Sequence, residues 1–129
     1  MILLDTCTLL WLSDRDVRLP ARVEDAIRKS HPSERYVSAI SAFEIGWKHE
    51  LGKLQLPLPP RAWFEEACAR RGIRSVPITE SIAIRASQLP RHHRDPADRF
   101  IISTASELRL RILTPDPLFS PYEVDLLWG

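Results

Sequence analysis

Asp5, Glu44, Asp98 and Asp116 are the residues on which chemistry would rest: four carboxylates far apart in the chain, each beside the end of one element and the start of the next. Asp5 follows the apolar run Ile2-Leu3-Leu4, and Asp116 follows Arg111-Ile112-Leu113-Thr114. Glu44 and Asp98 fall in what reads as the first turn of a helix. Each has a purely structural use as well. Asp5 suits a helix N-cap, and Ser41 with Glu44 three residues later matches a capping box. Asp95 before Pro96 matches an N-cap followed by proline at the first helical position.

Together the four acids have a consequence that none has alone. If the elements assemble as a right-handed α/β fold, all four reach one edge, the carboxyl end of the sheet. Two unit charges about 4 Å apart repel by about 4 kcal/mol at an effective dielectric near 20, so protons or cations must neutralise the cluster. A set of oxygen ligands favours Mg²⁺ or Mn²⁺ over zinc. The adjacent His92 and His93 have no companion Cys or third His nearby and read as part of a solvated basic loop.

Carboxylates holding hydrated Mg²⁺ point to hydrolysis of a phosphodiester. One metal lowers the pKa of the attacking water, and a second about 3.5 to 4 Å away stabilises the leaving oxygen. Lys48, Arg91, Arg94 and Arg99 are the candidates to hold the flanking phosphates.

The elements needed to position these groups are legible in turn. Ile2 to Leu4 has no polar alternation, as expected of a strand covered on both faces. Helices are expected from about Thr6, over Ala21 to Ser30 opened by Pro20 at the first helical position, from Ser41 to Gly52, from Pro60 to about Arg71, from Thr79 to Leu89 and from Asp95 onward. Further strands are expected at Tyr36 to Ser38, Arg74 to Ile78, Arg111 to Thr114 and Glu123 to Leu127. Pro77 assigns the Arg74 strand to an edge. The alternation predicts an α/β fold: a three-layer α/β/α sandwich with a mostly parallel central sheet of four to five strands. Trp63 and Phe64 fall on an amphipathic stripe and read as core rather than as a base-stacking surface. Trp11, Trp47 and Trp128 read as core ahead of the alternative, an apolar contact surface.

At 129 residues the chain is one domain, residues 1–129, able to bury its own core. Eighteen basic against seventeen acidic residues exclude a globally basic nucleic-acid binder, so any polyanion site is local. Cys7 and Cys68 read as free thiols of a reducing compartment, and Asp5 beside Cys7 opposes thiolate formation there. No apolar run reaches membrane-spanning length, which leads to the expectation of a soluble, cytoplasmic protein.

The segments Leu4-Asp5-Thr6 with Leu9-Leu10-Trp11, Ser41-x-x-Glu44-Ile45 with Lys48 and Leu51-Gly52-Lys53-Leu54, His93-Arg94-Asp95-Pro96-x-Asp98-Arg99, and Leu113-Thr114-x-Asp116-x-x-Phe119 together resemble the PIN domain, specifically the VapC-type toxins. The resemblance spans nearly the whole chain. It implies a Mg²⁺- or Mn²⁺-dependent endoribonuclease, commonly a homodimer, inhibited by a small cognate antitoxin. Asp5 and Asp98 would then be the principal metal ligands, and Glu44 and Asp116 would complete the site. Thr6 and Thr114 would orient water or carboxylate, and Asp95 is an additional acid whose first role is capping. Cys7-Thr8 departs from the His-Ala common after Asp-Thr in the nearest group, and Pro115 and Pro117 bracket Asp116 tightly.

Receiver domains and haloacid-dehalogenase-type phosphatases share such a topology, but both need a lysine late in the chain, and the last here is Lys53. The remaining alternative is a non-catalytic PIN-like module that binds RNA or protein, whose mark would be a missing acid. All four acids are present.

Overall fold

The computed structural model describes residues 1–129. Five parallel strands, β1 (Ile2–Leu4), β2 (Arg35–Ser38), β3 (Arg74–Val76), β4 (Arg111–Leu113) and β5 (Leu126–Leu127), form one sheet in the order β3-β2-β1-β4-β5. Six helices connect them: α1 (Thr6–Asp14), α2 (Ala21–Lys29), α3 (Ala39–Glu50), α4 (Pro60–Arg70), α5 (Glu80–Gln88) and α6 (Pro96–Leu108).

The central strand shows why the sheet is sandwiched. Successive side chains of a strand point to opposite faces. Ile2 and Leu4 accordingly join Leu9, Val23, Ile27 and Trp63 in one core. Leu3 joins Ile101, Ile102, Ile112 and Phe119 in the other. Each such aliphatic side chain contributes about 1.5–3 kcal/mol on full burial, and both layers need an apolar partner. That requirement explains the unbroken apolar run. No helix is long and apolar enough to cross a membrane.

The chain winds outward from β1 through β2 to β3, then crosses to the opposite side of β1 for β4 and β5. This reversal makes the carboxyl ends of β1 and β4 a topological switch point, the usual place for a ligand crevice. Asp5 stands at the end of β1, its N–H still donating to the Leu113 carbonyl of β4 at 3.2 Å. β3 is an edge strand, and it ends at Val76 rather than running to Ile78, with Pro77 immediately beyond its last residue.

Three expectations need correction. α3 begins at Ala39, capped by Ser38, whose Oγ accepts from the Ile40 N–H at 3.1 Å. Strand β2 feeds the helix with no intervening loop, so the Ser41–Glu44 capping box does not form, and Glu44 lies in the second turn. Pro20 is the cap residue of α2 rather than its first helical residue. Trp47, expected in the core, is 55% exposed, because α3 buries Ser41 and Ile45 and turns Phe43 and Trp47 outward.

Candidate active site

The site is assembled from the end of β1, the second turn of α3, the loop into α6, the first turn of α6 and the segment after β4. Asp5 is 5% exposed and fixed by four contacts. Its Oδ1 accepts from the Thr8 N–H at 2.9 Å, the Thr8 hydroxyl at 2.6 Å and the Cys7 thiol at 3.3 Å, and its Oδ2 accepts from the Thr114 hydroxyl at 2.5 Å. It therefore caps α1, and its charge reaches Asp98 and Glu44, although its oxygens belong to neither of the two ligand triples that converge on Asp98. Burial pushes its carboxyl above the ordinary range despite these donors, of which Thr114 opposes the shift most. Burial, and then the Asp5 charge, push the Cys7 thiol far up as well, so Cys7 is no nucleophile.

Glu44 accepts a hydrogen bond from the Thr6 hydroxyl, which also lies 2.9 Å from the buried Ser41 hydroxyl. Ser41 thus takes part in the site's support rather than in a cap. Burial raises the Glu44 carboxyl, and Lys48 partly opposes it. Asp95 caps α6 through the Ala97 N–H at 3.0 Å. The ligand oxygens of Glu44, Asp95 and Asp98 nonetheless lie within 4.8 Å of one another. Capping and convergence are compatible because a carboxylate has two oxygens.

Asp98 is the hub. Burial first, and then the charges of Asp95, Glu44, Asp5 and Asp116, push its carboxyl up to about 8. Its ligand atom also falls within 4.8 Å of those of His93 and Asp116, so it belongs to two converging triples.

His93 is the residue missed by sequence reasoning. Far from solvated, it is 6% exposed, with its Nε2 2.9 Å from Asp98 Oδ2 and 3.0 Å from Asp116 Oδ2. Its Nδ1 accepts the Asp95 N–H at 3.3 Å, which leaves the ring proton on Nε2, facing both carboxylates. The Tyr122 hydroxyl accepts from the His93 N–H at 2.7 Å, and Phe119 packs edge-on to the ring. His92 stays exposed. The only signal in the sequence is that His93 stands two and five residues before Asp95 and Asp98.

Asp116 has its Oδ1 engaged by the Leu118 N–H at 2.9 Å, and its own N–H donates to Thr114 Oγ1 at 3.1 Å. Pro115 and Pro117 hold this turn, and Oδ2 is left facing His93. Among the expected phosphate-holding cations, Lys48, Arg91 and Arg94 are exposed. Arg91 and Arg94 line a cavity of about 440 Å³ with His93. Arg99 is different: its guanidinium donates to the carbonyls of Pro90, His93, Ala86 and Leu89 at 2.7–3.2 Å. Those bonds fix the loop that carries His93, and Arg99 does not extend toward a substrate.

The donor set tests what the site can hold. Oxygens of Glu44, Asp95 and Asp98 converge, Asp116 joins through Asp98, and Asp5 Oδ2 has a single donor, leaving it lone-pair capacity. No lysine or arginine forms an ion pair with any of these acids; burial raises all three carboxyls of Asp5, Glu44 and Asp98, and neighbouring acids add to it at Glu44 and Asp98. Such a set suits a hard divalent cation.

Comparison with known proteins gives the family and the fold. The family model described as "PIN domain" matches residues 2–123. The chain is 38% identical over 116 residues to Ribonuclease VapC22 of Mycobacterium tuberculosis, a match covering 89% of this chain and 86% of that protein. In fold it is similar to FitAcB from Neisseria gonorrhoeae (TM-score 0.70, 22% identity, 98% and 96% of the two chains). It is likewise similar to a toxin-antitoxin complex from Klebsiella pneumoniae (TM-score 0.68, 18% identity, 98% and 96%).

Proposed function

The chain belongs to the PIN domain family, and from that premise we propose that it is a metal-dependent endoribonuclease, the toxin of a toxin–antitoxin pair. One observation carries the reading: Asp98, shared by two converging ligand triples, has its carboxyl pushed up to about 8 by burial and by four neighbouring acids. Its one basic neighbour is the His93 ring, and no lysine or arginine pairs with it. Four acids surround it, the arrangement expected where a divalent cation, Mg²⁺ or Mn²⁺, takes the place of the proton.

Asp5, Glu44, Asp98 and Asp116 would hold the cation, with Asp95 beside Glu44. The cation supplies an acidified water and charge stabilisation at the phosphoryl oxygens. The chain's own residues do the rest. Thr8 and Thr114 fix Asp5, Thr6 fixes Glu44, and His93 spans Asp98 and Asp116, so the carboxylates are held in place before substrate arrives. Arg91 and Arg94 on one side and Lys48 on the other offer charge to the flanking RNA phosphates.

The similarity to a protein named Ribonuclease VapC22 supports RNA as substrate. The shared fold with a chain of a toxin-antitoxin complex supports a cognate antitoxin as partner. A homodimer working inside the cytoplasm is the accompanying expectation for the family.

The test is incubation of purified, antitoxin-free protein with total RNA, with Mg²⁺ and with EDTA. Cleavage by the wild type in Mg²⁺ alone, absent from Asp98→Asn, supports the reading. Equal cleavage by the two proteins assigns the activity to a contaminant and rejects it.

A further inference from the structure

Beside the acid cluster lies a second feature that the carboxylate chemistry does not use. A slot of about 360 Å³ runs between α3 and α6, with Phe43, Trp47, Pro96 and Phe100 on its walls. Glu44 and Asp95 line this slot and are also members of the cluster, so it opens directly onto the site. Phe43 and Trp47, one helical turn apart, are 61% and 55% exposed, and their rings lie within 9° of parallel at a centroid distance of 6.2 Å.

We propose that this slot is a nucleobase subsite, taking the unstacked base of a nucleotide adjoining the scissile phosphate. The inference rests on the ribonuclease reading and adds to it a residue-level determinant of which RNA segment is cut. Two large aromatic rings held open on a helix face expose apolar surface that folding would otherwise bury, and single-stranded RNA is recognised by splaying bases onto such rings. Position selects the occupant. A phosphodiester seated among Glu44, Asp95 and Asp98 brings its neighbouring base to the mouth of the slot, because the same two acids border both. Charge agrees, since exposed Lys48 lies at the slot beside Glu44 and offers a phosphate contact on the aromatic side of the cluster. A π face accepts any base, so the subsite selects for an unpaired, flexible nucleotide more than for one base identity.

Two measurements test the proposal. In the first, RNA oligonucleotides spanning a mapped cleavage site are made intact or with one abasic nucleotide on either side of the scissile bond. The wild type is expected to show a KM about tenfold higher for one of the abasic substrates, the scale of losing one stacked base. In Trp47→Ala the intact and abasic substrates become equivalent, and in Trp47→Phe the difference is largely restored. In the second, Trp emission is followed as uncleaved oligonucleotide is added in EDTA. Quenching in the wild type that is absent from Trp47→Phe supports the subsite without any need for activity.

If Trp47→Ala keeps the wild-type ratio between intact and abasic RNA, the subsite is overturned while the ribonuclease reading stands. If RNA leaves Trp47 emission unchanged while Trp47→Ala alters self-association in sedimentation, the face is a protein interface and the proposal is overturned. If the wild type cleaves no RNA with any divalent cation, the ribonuclease reading fails and takes the subsite with it. Both rings are exposed, so unchanged thermal midpoints in the variants show that the fold is retained.

Discussion

His93 Nε2 lies 2.9 Å from Asp98 Oδ2, and the same nitrogen lies 3.0 Å from Asp116 Oδ2. One buried ring thus joins an acid on α6 to an acid after β4. The His93 N–H is held by Tyr122, which in turn donates to the Pro90 carbonyl at 2.7 Å, so the ring cannot easily swing away.

Replacing His93 should therefore weaken metal binding more than it weakens the fold. Groups that orient metal-ligating carboxylates typically cost about 10–100-fold in affinity when removed. His93→Phe keeps the ring packed on Phe119 but removes the donor, and should reduce Mn²⁺ affinity by about tenfold. His93→Gln places an N–H near the former Nε2 and should recover part of the loss. Calorimetric titration of both variants checks this. Wild-type affinity in His93→Phe would show that the carboxylates need no such tie.

The pH dependence follows from Asp98. Its folded-state carboxyl, at about 8, lies above the unfolded value of 3.8. Its contribution to stability is fully present below about pH 4 and is lost as pH rises toward 8, because the unfolded chain ionises first. Glu44 and Asp5, also raised, act in the same direction. The metal-free thermal midpoint should fall from pH 5 to pH 8, and Asp98→Asn should flatten that slope. With saturating Mn²⁺ the slope should reverse, since the cation binds the ionised form. Titrations in two buffers of different ionisation enthalpy should detect about one proton released per metal near pH 7.

Arg99 and its neighbours separate structure from binding. Arg99→Ala removes donors from four carbonyls and should destabilise the protein by about 3 kcal/mol in urea unfolding, on the scale of charged hydrogen bonds left unmade. Arg91→Ala and Arg94→Ala should leave stability within about 0.5 kcal/mol. Each should instead reduce the salt dependence of RNA binding by about one unit of slope.

The sequence carried the sheet, the six helices and the four acids because each has a local cause. An unbroken apolar run requires cover on both faces, Pro77 ends its strand, and Asp95-Pro96 starts a helix. Two features of the site have no local cause. Ser41 and Glu44 match a capping box in one dimension, but β2 enters α3 without a loop, so Ser38 caps the helix and Ser41 turns to Thr6. His93 and His92 are chemically identical in sequence. Only the Arg99 clamp on the loop and Tyr122, brought over from beyond β4, decide which ring is buried. Trp47 likewise reads as core by composition, and what turns it outward is the face of α3 that Ile45 and Ser41 take into the interior.

The account depends on the acid cluster holding a divalent cation through Asp98. Calorimetric titration of metal-free protein with Mn²⁺ at pH 7.5, wild type beside Asp98→Asn, tests this most directly. Saturable binding with proton release is expected in the wild type, with loss of at least about 100-fold in affinity in the variant, whose metal-free fold is no less stable. Equal Mn²⁺ binding by the two proteins, or none by either while both stay folded, would contradict it.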